Sequence, residues 1–166
     1  MSKARVNQGT ADEWISRARS ALAIASRKPE PPIVVEDLCF QAQQAAEKAL
    51  KAVCRDKGIE FRSTHDIDEL VELLSNHGVP ITQEVDDATV LTRYAVQTRY
   101  PGLSPALTES DWIEAVGLAK GVVRWACLML GIDPGVDLDD LCPGGGSAPG
   151  GGGSGSGGPS HSFKKR

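Results

Sequence analysis

Long hydrophobic runs are missing from this sequence of 166 residues. No stretch approaches the roughly 18 consecutive apolar residues that a membrane-spanning helix needs. The opening segment, MSKARVNQGTADEW, contains no apolar core of the kind found in a secretory signal peptide. These absences predict a cytoplasmic protein that makes no contact with a membrane.

The cysteines lack the paired spacing that suits metal binding. The chain has four cysteines, and no two of them form a C-x-x-C pair. Cys39, Cys54 and Cys127 fall within apolar helical patterns, where free cysteine behaves as a small hydrophobic residue. We therefore expect neither a disulfide framework nor a metal site, and we expect no cofactor.

Acidic residues are absent from one end of the chain. From Pro143 onward the only charged residues are Lys164, Lys165 and Arg166. The other 15 of the 18 basic residues and all 22 acidic residues lie in residues 1–142, which gives that body a net charge of −7. Nucleic-acid binding depends on basic residues that replace the counterions of phosphates. We therefore expect no broad nucleic-acid binding by this body, although a local basic pocket is compatible with it.

The apolar residues recur at three- and four-residue steps, which is typical of amphipathic helices and not of strands. A first helix is predicted to begin after Thr10, because Thr10 and Glu13 can form a capping box. It should end before the prolines of residues 29–32, since proline cannot continue a helix. A second helix is predicted from about Val35 to Asp56. Its many alanines would let neighbouring helices approach closely, so it should be the central helix.

Three more helices are predicted downstream. The third begins at Thr64 and stops at Gly78, the fourth runs from near Thr82 to Pro101, and the fifth starts near Thr108 or Ser110 and closes at Gly131. Short loops between helices favour antiparallel neighbours. The fold class is therefore predicted as all-α, an antiparallel up-and-down bundle of about five helices.

One domain is expected over residues 1–142, with its core at about residues 10–131. Residues 143–158 consist almost entirely of Gly, Ser, Pro and Ala, a composition that cannot bury enough apolar surface to offset its ordering entropy. We expect residues 143–166 to form a disordered tail or linker with a basic end.

Four sequence segments, taken together, resemble a known family. They are Trp14, the segment FQAQQAAEKALKA at residues 40–52, THD at residues 64–66 and TRYPG at residues 98–102. In this order they resemble the HEPN domain family, whose name stands for higher eukaryotes and prokaryotes nucleotide-binding. The resemblance extends over roughly residues 10–131.

The resemblance implies an antiparallel helical bundle that commonly forms homodimers. It also implies a partner, because bacterial and archaeal members are often encoded beside a minimal nucleotidyltransferase, in two-component or toxin–antitoxin systems. Some members are metal-independent ribonucleases that carry an Arg-x4-6-His motif, and in these the Arg and His of two subunits converge on RNA.

This sequence lacks the Arg-x4-6-His motif. The arginines before His65 are Arg62 and Arg55, with two and nine residues between, and no histidine occurs between His77 and His161. Cleavage of RNA through its 2′-hydroxyl needs a base that titrates near neutral pH and a cation beside the phosphate. We assign no catalytic residue.

Polar residues of the second predicted helix are the first candidate site. Gln44, Lys48 and Lys51 are spaced four and three residues apart, so they share a face. Gln43, Glu47 and Lys51 form an adjacent row. This polar surface is interpreted as a cleft for a nucleotide or a partner subunit. The alternative is a solvated helix face on which Glu47 and Lys51 form an ordinary surface ion pair.

His65 is a second candidate, as a general base or a phosphate contact. The alternative is a purely structural helix start, with Thr64 as the N-cap and Asp66 beside the positive end of the helix dipole.

Arg93, Arg99 and Tyr100 form the third candidate set. Arg99 offers a planar fork for phosphate or carboxylate, and Tyr100 offers a ring for stacking or for a subunit boundary. The alternative is a structural turn with Arg99 paired to a nearby acid.

Three functional classes follow. The favoured one is a non-catalytic HEPN-like module that binds a nucleotide or partner and works with a minimal nucleotidyltransferase. The second is a ribonuclease toxin that uses a variant site around His65 and Arg99. The third is a helical adaptor without a nucleotide role.

Overall fold

Helices account for all regular structure in residues 9–98, 101–102 and 104–135, the part of the chain that the computed structural model describes. The elements are α1 (Ala11–Ala25), α2 (Val35–Asp56), α3 (Ile67–Asn76), α4 (Gln83–Asp87), a 3-10 turn (Ala88–Leu91), α5 (Thr92–Gln97) and α6 (Glu109–Leu130). The predicted all-α antiparallel bundle is confirmed. The predicted tail lies outside the described residues.

Local capping explains where the first and last helices begin. The Thr10 hydroxyl accepts a hydrogen bond from the Glu13 amide, and the Glu13 carboxylate accepts one from the Thr10 amide. Thr108 and Asp111 repeat this arrangement at the start of α6. Each box satisfies amide groups that have no partner within the helix. At the other end of α6, Gly131 adopts a φ of 71°, in the left-handed region that favours glycine.

Helix α2 is the central element, as predicted. It packs mainly against α1 and α6, which also contact each other. Its alanines are fully buried, at positions Ala42, Ala45, Ala46, Ala49 and Ala52. Because these side chains are short, the neighbouring helix axes come close. Trp112 of α6 closes one end of this core, where its indole Nε1 donates to the Ala25 carbonyl oxygen over 2.7 Å.

The predicted fourth helix is not continuous. It begins after Thr82, as expected, but it is divided into α4, the 3-10 turn and α5. Thr89 and Val90, which lie in the turn, are β-branched and fit poorly into an α-helix. The Thr89 hydroxyl also donates to the Asp86 carbonyl oxygen over 2.9 Å, a bond that competes with helical pairing. The apolar residues keep their helical spacing through the 3-10 turn. That spacing therefore did not reveal the division of the helix.

The third helix begins later than predicted. Asp66, and not Thr64, is its N-cap, because the Asp66 carboxylate accepts from the Asp68 amide over 3.0 Å. The Thr64 hydroxyl instead accepts from the Asp66 amide and donates to the Glu69 carboxylate. Thr64 therefore belongs to the loop before the helix.

None of the described helices is long and apolar enough to span a membrane.

We expect enlargement of the α2 alanines to destabilise the bundle. The Ala49→Leu substitution adds volume at a fully buried position, and overpacking of this kind typically costs about 1–3 kcal/mol. Urea unfolding would measure the loss. Ala23→Leu is the matched control, since Ala23 is exposed on α1. Equal stabilities for the two variants would contradict the close packing of α2.

Candidate functional site

Helix α2 carries three buried polar side chains in a row. Gln43, Glu47 and Lys51 are spaced four residues apart, and their exposed fractions are 0%, 3% and 5%. This row, together with His65 from the loop before α3, is called the Glu47 cluster. A buried charge requires compensation by hydrogen bonds or an opposite charge, so the cluster must supply its own partners.

Four side chains meet the Glu47 carboxylate. Its Oε1 accepts from Lys51 Nζ over 2.6 Å. Its Oε2 lies 3.0 Å from Gln43 Nε2, 3.1 Å from Gln44 Nε2 and 3.1 Å from His65 Nδ1. Burial raises the pKa of Glu47, but the hydrogen bond and charge of Lys51, with the bonds from Gln43 and His65, outweigh it. The pKa of Glu47 is therefore held below its ordinary value, and the side chain is a carboxylate at neutral pH.

The cluster also fixes the loop that precedes α3. Lys51 Nζ donates to the Thr64 carbonyl oxygen over 2.8 Å, and Gln43 Nε2 donates to the His65 carbonyl oxygen over 3.0 Å. Lys51 Nζ further lies 5.4 Å and 5.6 Å from the ring centres of Trp14 and Phe61. These distances permit cation–π attraction. Side chains of α2 thus hold the loop by its carbonyl oxygens. This attachment sets the position of the His65 ring.

The cluster opens to solvent along one edge. The His65 side chain is 56% exposed, and Gln44 and Lys48 are half-buried. Burial lowers the pKa of Lys48, and the positive charges of Arg17 and Lys51 lower it further, while Glu47 acts in the opposite direction. We call Arg17, Gln44, Lys48 and His65 the cationic rim. Among the described residues, no carboxylate lies within ion-pair distance of the Lys48 ammonium.

Arg93 belongs to a different place in the fold. Its guanidinium donates to the Tyr94 hydroxyl over 2.7 Å and lies 4.8 Å from the centre of that ring. This hydrogen bond raises the pKa of Arg93. Within the described residues it makes no hydrogen bond to the Glu47 cluster. Arg99 and Tyr100 lie outside the described residues.

The structure therefore brings together four of the seven predicted site residues, namely Gln44, Lys48, Lys51 and His65. The interpretation of Glu47 and Lys51 as a solvated surface pair was wrong, because the loop before α3 and the rings of Trp14 and Phe61 cover them. Gln43 and Glu47 were recognised only as a row adjacent to the predicted site residues. Their four-residue spacing with Lys51 shows that they share a face of α2, but it does not show that the loop before α3 covers that face.

The arrangement suits recognition of an anion better than metal chemistry. The described residues contain no group of three or more potential metal ligands from His, Cys, Asp and Glu. When His65 donates from Nδ1 to Glu47, its Nε2 is left for another partner. Gln44 uses its amide nitrogen on Gln43 and Glu47, which leaves its carbonyl oxygen as an acceptor. The rim therefore offers cations, one imidazole nitrogen and one amide oxygen.

Comparison with known proteins decides the family. The sequence profile of the HEPN domain matches residues 11–130. The chain belongs to the HEPN family. Two solved structures agree with this assignment, and both cover 72% of this chain at 30% sequence identity. TT1696 from Thermus thermophilus aligns over 97% of its own length with a TM-score of 0.60. ST0689, described as an archaeal HEPN homologue, aligns over 96% with a TM-score of 0.57. No curated protein sequence matches this HEPN chain.

The Glu47 cluster predicts a specific dependence of stability on pH. Because the pKa of Glu47 is below its ordinary value of 4.5 in the folded protein, its contribution to stability is complete above that value. The contribution is lost as the pH falls through the folded pKa. We expect the wild type to lose more stability on acidification from about pH 5 to about pH 3 than the Glu47→Gln variant does.

Urea unfolding at each pH would measure this difference. The Glu72→Gln variant is the matched control, since Glu72 is exposed on α3, and it should follow the wild type. If Glu47→Gln also follows the wild type, the carboxylate is not stabilised by its neighbours.

Proposed function

We propose that this chain is a non-catalytic HEPN subunit that works with a separate minimal nucleotidyltransferase and binds a nucleotide at the cationic rim. The observation that carries the proposal is the half-buried Lys48 ammonium, which lacks an ion-pair partner among the described residues and lies near the charges of Arg17 and Lys51. A bound phosphate would supply the missing negative charge.

The setting of the rim favours a discrete anionic ligand over a long polyanion. Residues 1–142 carry a net charge of −7, and this excess of negative charge disfavours a long polyanion. A phosphate group accepts hydrogen bonds from cations and from imidazole nitrogen, and both are available there. The Gln44 carbonyl oxygen can accept a hydrogen bond from a base or a sugar hydroxyl. A mononucleotide fits this combination.

Two observations support the non-catalytic role: the absence of the ribonuclease motif and the contacts that already occupy Lys51. The Arg-x4-6-His motif is absent. Lys51 is committed to Glu47, the Thr64 carbonyl oxygen and two rings, so it has little freedom to act on a ligand. Nucleotidyl transfer would therefore have to come from the partner subunit, as the resemblance to transferase-linked HEPN proteins suggests.

One observation favours the ribonuclease alternative. The contact between His65 and the buried Glu47 carboxylate orients the imidazole, and an oriented imidazole is the usual general base near neutral pH. A toxin of this type would arrest growth on expression, and the His65→Ala variant would relieve the arrest. That result would favour a catalytic role for this chain over a binding role.

Nucleotide binding is tested by thermal unfolding of the full chain with ATP or GTP at millimolar concentration. We expect at least one of them to raise the melting temperature, because a ligand that binds only the folded state stabilises it. Adenosine and guanosine should have little effect, since they lack phosphates. The Lys48→Ala variant should lose the shift.

The matched control is Lys28→Ala, which removes an exposed lysine from the turn after α1. It should retain the shift. If neither nucleotide raises the melting temperature of the wild type, the nucleotide role fails and the adaptor role gains support.

The transferase partner is tested separately, by purification of the chain from its native host and mass spectrometry of the proteins that co-purify. Absence of a nucleotidyltransferase would remove that part of the proposal.

A further inference from the structure

Hydrogen-bond polarity in the Glu47 cluster is fixed from its buried centre outward. Glu47 Oε1 accepts from Lys51 Nζ over 2.6 Å, and an ammonium group can only donate. Glu47 is ionised at neutral pH, since its pKa lies below the ordinary value, and a carboxylate can only accept. Every side chain that meets its Oε2 atom must therefore present an N–H group.

The orientation of Gln44 follows from this rule in two steps. Gln43 Nε2 lies 3.0 Å from Glu47 Oε2 and 3.0 Å from the His65 carbonyl oxygen, so both of its N–H groups are used. Gln44 Nε2 in turn donates to Gln43 Oε1 over 2.8 Å and to Glu47 Oε2 over 3.1 Å. The reverse orientation would set the Gln44 oxygen against two other oxygens. Gln44 therefore offers a ligand only its carbonyl oxygen Oε1, which is an acceptor.

His65 is constrained in the same way. Its Nδ1 atom lies 3.1 Å from Glu47 Oε2 and must carry a proton. In neutral imidazole, the form that prevails at mildly alkaline pH, the other nitrogen Nε2 is then an acceptor. Within the described residues no hydrogen bond occupies His65 Nε2 or Gln44 Oε1. Because both side chains reach the same Glu47 oxygen, the cationic rim carries two neighbouring acceptors.

This acceptor pair lies beside the positive charges of the rim. Gln44 and Lys48 are one helical turn apart, about 6 Å along the axis. Two acceptors repel phosphate oxygens, so at mildly alkaline pH the phosphates of a nucleotide belong at Lys48 and Arg17. His65 can donate to a phosphate only when it is protonated. The group that fits the pair must itself carry two adjacent hydrogen-bond donors.

Two parts of a nucleotide carry adjacent donors. The 2′- and 3′-hydroxyls belong to the ribose, the part of the molecule that is joined to the phosphates. The N1–H and amino groups of guanine lie on the edge of the base, beyond the sugar. The short separation between Lys48 and Gln44 therefore favours the ribose hydroxyls.

We propose that Gln44 Oε1 and His65 Nε2 accept hydrogen bonds from the two ribose hydroxyls of a nucleotide, and so select ribonucleotides over nucleotides without these hydroxyls. The inference rests on the proposed nucleotide binding at the cationic rim and adds the class of nucleotide. Selection arises because a ligand without the hydroxyls leaves both acceptors unpaired. No proton is transferred, so the inference is separate from the ribonuclease alternative.

Calorimetric titration of the full chain at pH 8 tests this selection, with ATP against 2′,3′-dideoxy-ATP and GTP against 2′,3′-dideoxy-GTP. Each pair differs only in the two hydroxyls. We expect the dideoxy compound to bind about tenfold more weakly, the order for the loss of one or two neutral hydrogen bonds.

The possible failures are distinguishable. Equal affinities within each pair would overturn the inference and leave nucleotide binding intact. If GTP and its dideoxy analogue bind equally and ATP binds weakly, the guanine edge supplies the donors and the inference is again overturned. If none of the four compounds binds, the proposed function itself fails, and this inference fails with it.

Two variants separate recognition of the sugar from support of the fold. His65→Ala removes one acceptor, so the ratio of ribonucleotide to dideoxynucleotide affinity should fall. Lys48→Ala removes a phosphate contact, so both affinities should fall together and the ratio should persist. A purely structural role of His65 would also weaken both nucleotides alike and preserve the ratio.

The matched control is His77→Ala, since His77 is exposed directly after α3. It should bind both nucleotides like the wild type. A His65→Ala variant that keeps the wild-type ratio would overturn the assignment of His65 as a residue that determines specificity.

Discussion

The buried ion pair between Glu47 and Lys51 is the interaction on which the rest of this structure depends. Two charges removed from water lose several kcal/mol of hydration each, and only good geometry with further hydrogen bonds compensates for that loss. Here the carboxylate receives three more contacts, and the ammonium finds the Thr64 carbonyl oxygen and two aromatic rings. The pair therefore requires the loop before α3 in one position.

That requirement links the core to the exposed rim. On one side α2 presents alanines, which draw α1 and α6 close and exclude water. On the other side it presents Gln43, Glu47 and Lys51, which hold the loop by its carbonyl oxygens. Because the loop is fixed, His65 lies beside Gln44 at the surface. The same helix thus determines both the packing of the bundle and the geometry of its polar edge.

Much of this fold follows from local sequence signals. The bounds of α2, the capping box at Thr10 and the start of α6 near Thr108 could be predicted, because caps and apolar spacing act over a few residues. The 3-10 turn after α4 could not, since the apolar period continues through it. The burial of Glu47 was also hidden from the sequence. Spacing shows that side chains share a face, but not which distant segment covers that face. Arg99 lies outside the described residues, so its predicted role stays a prediction.

The most direct test of this account is a double-mutant cycle between Glu47 and Lys51, with urea unfolding of the Glu47→Gln, Lys51→Met and doubly substituted chains. Removal of one partner from a buried pair typically costs about 3–5 kcal/mol, because the other charge stays buried without compensation. We predict that the double variant is destabilised by clearly less than the sum of the two single losses. Additive losses would show that the two side chains act independently, and would contradict the account.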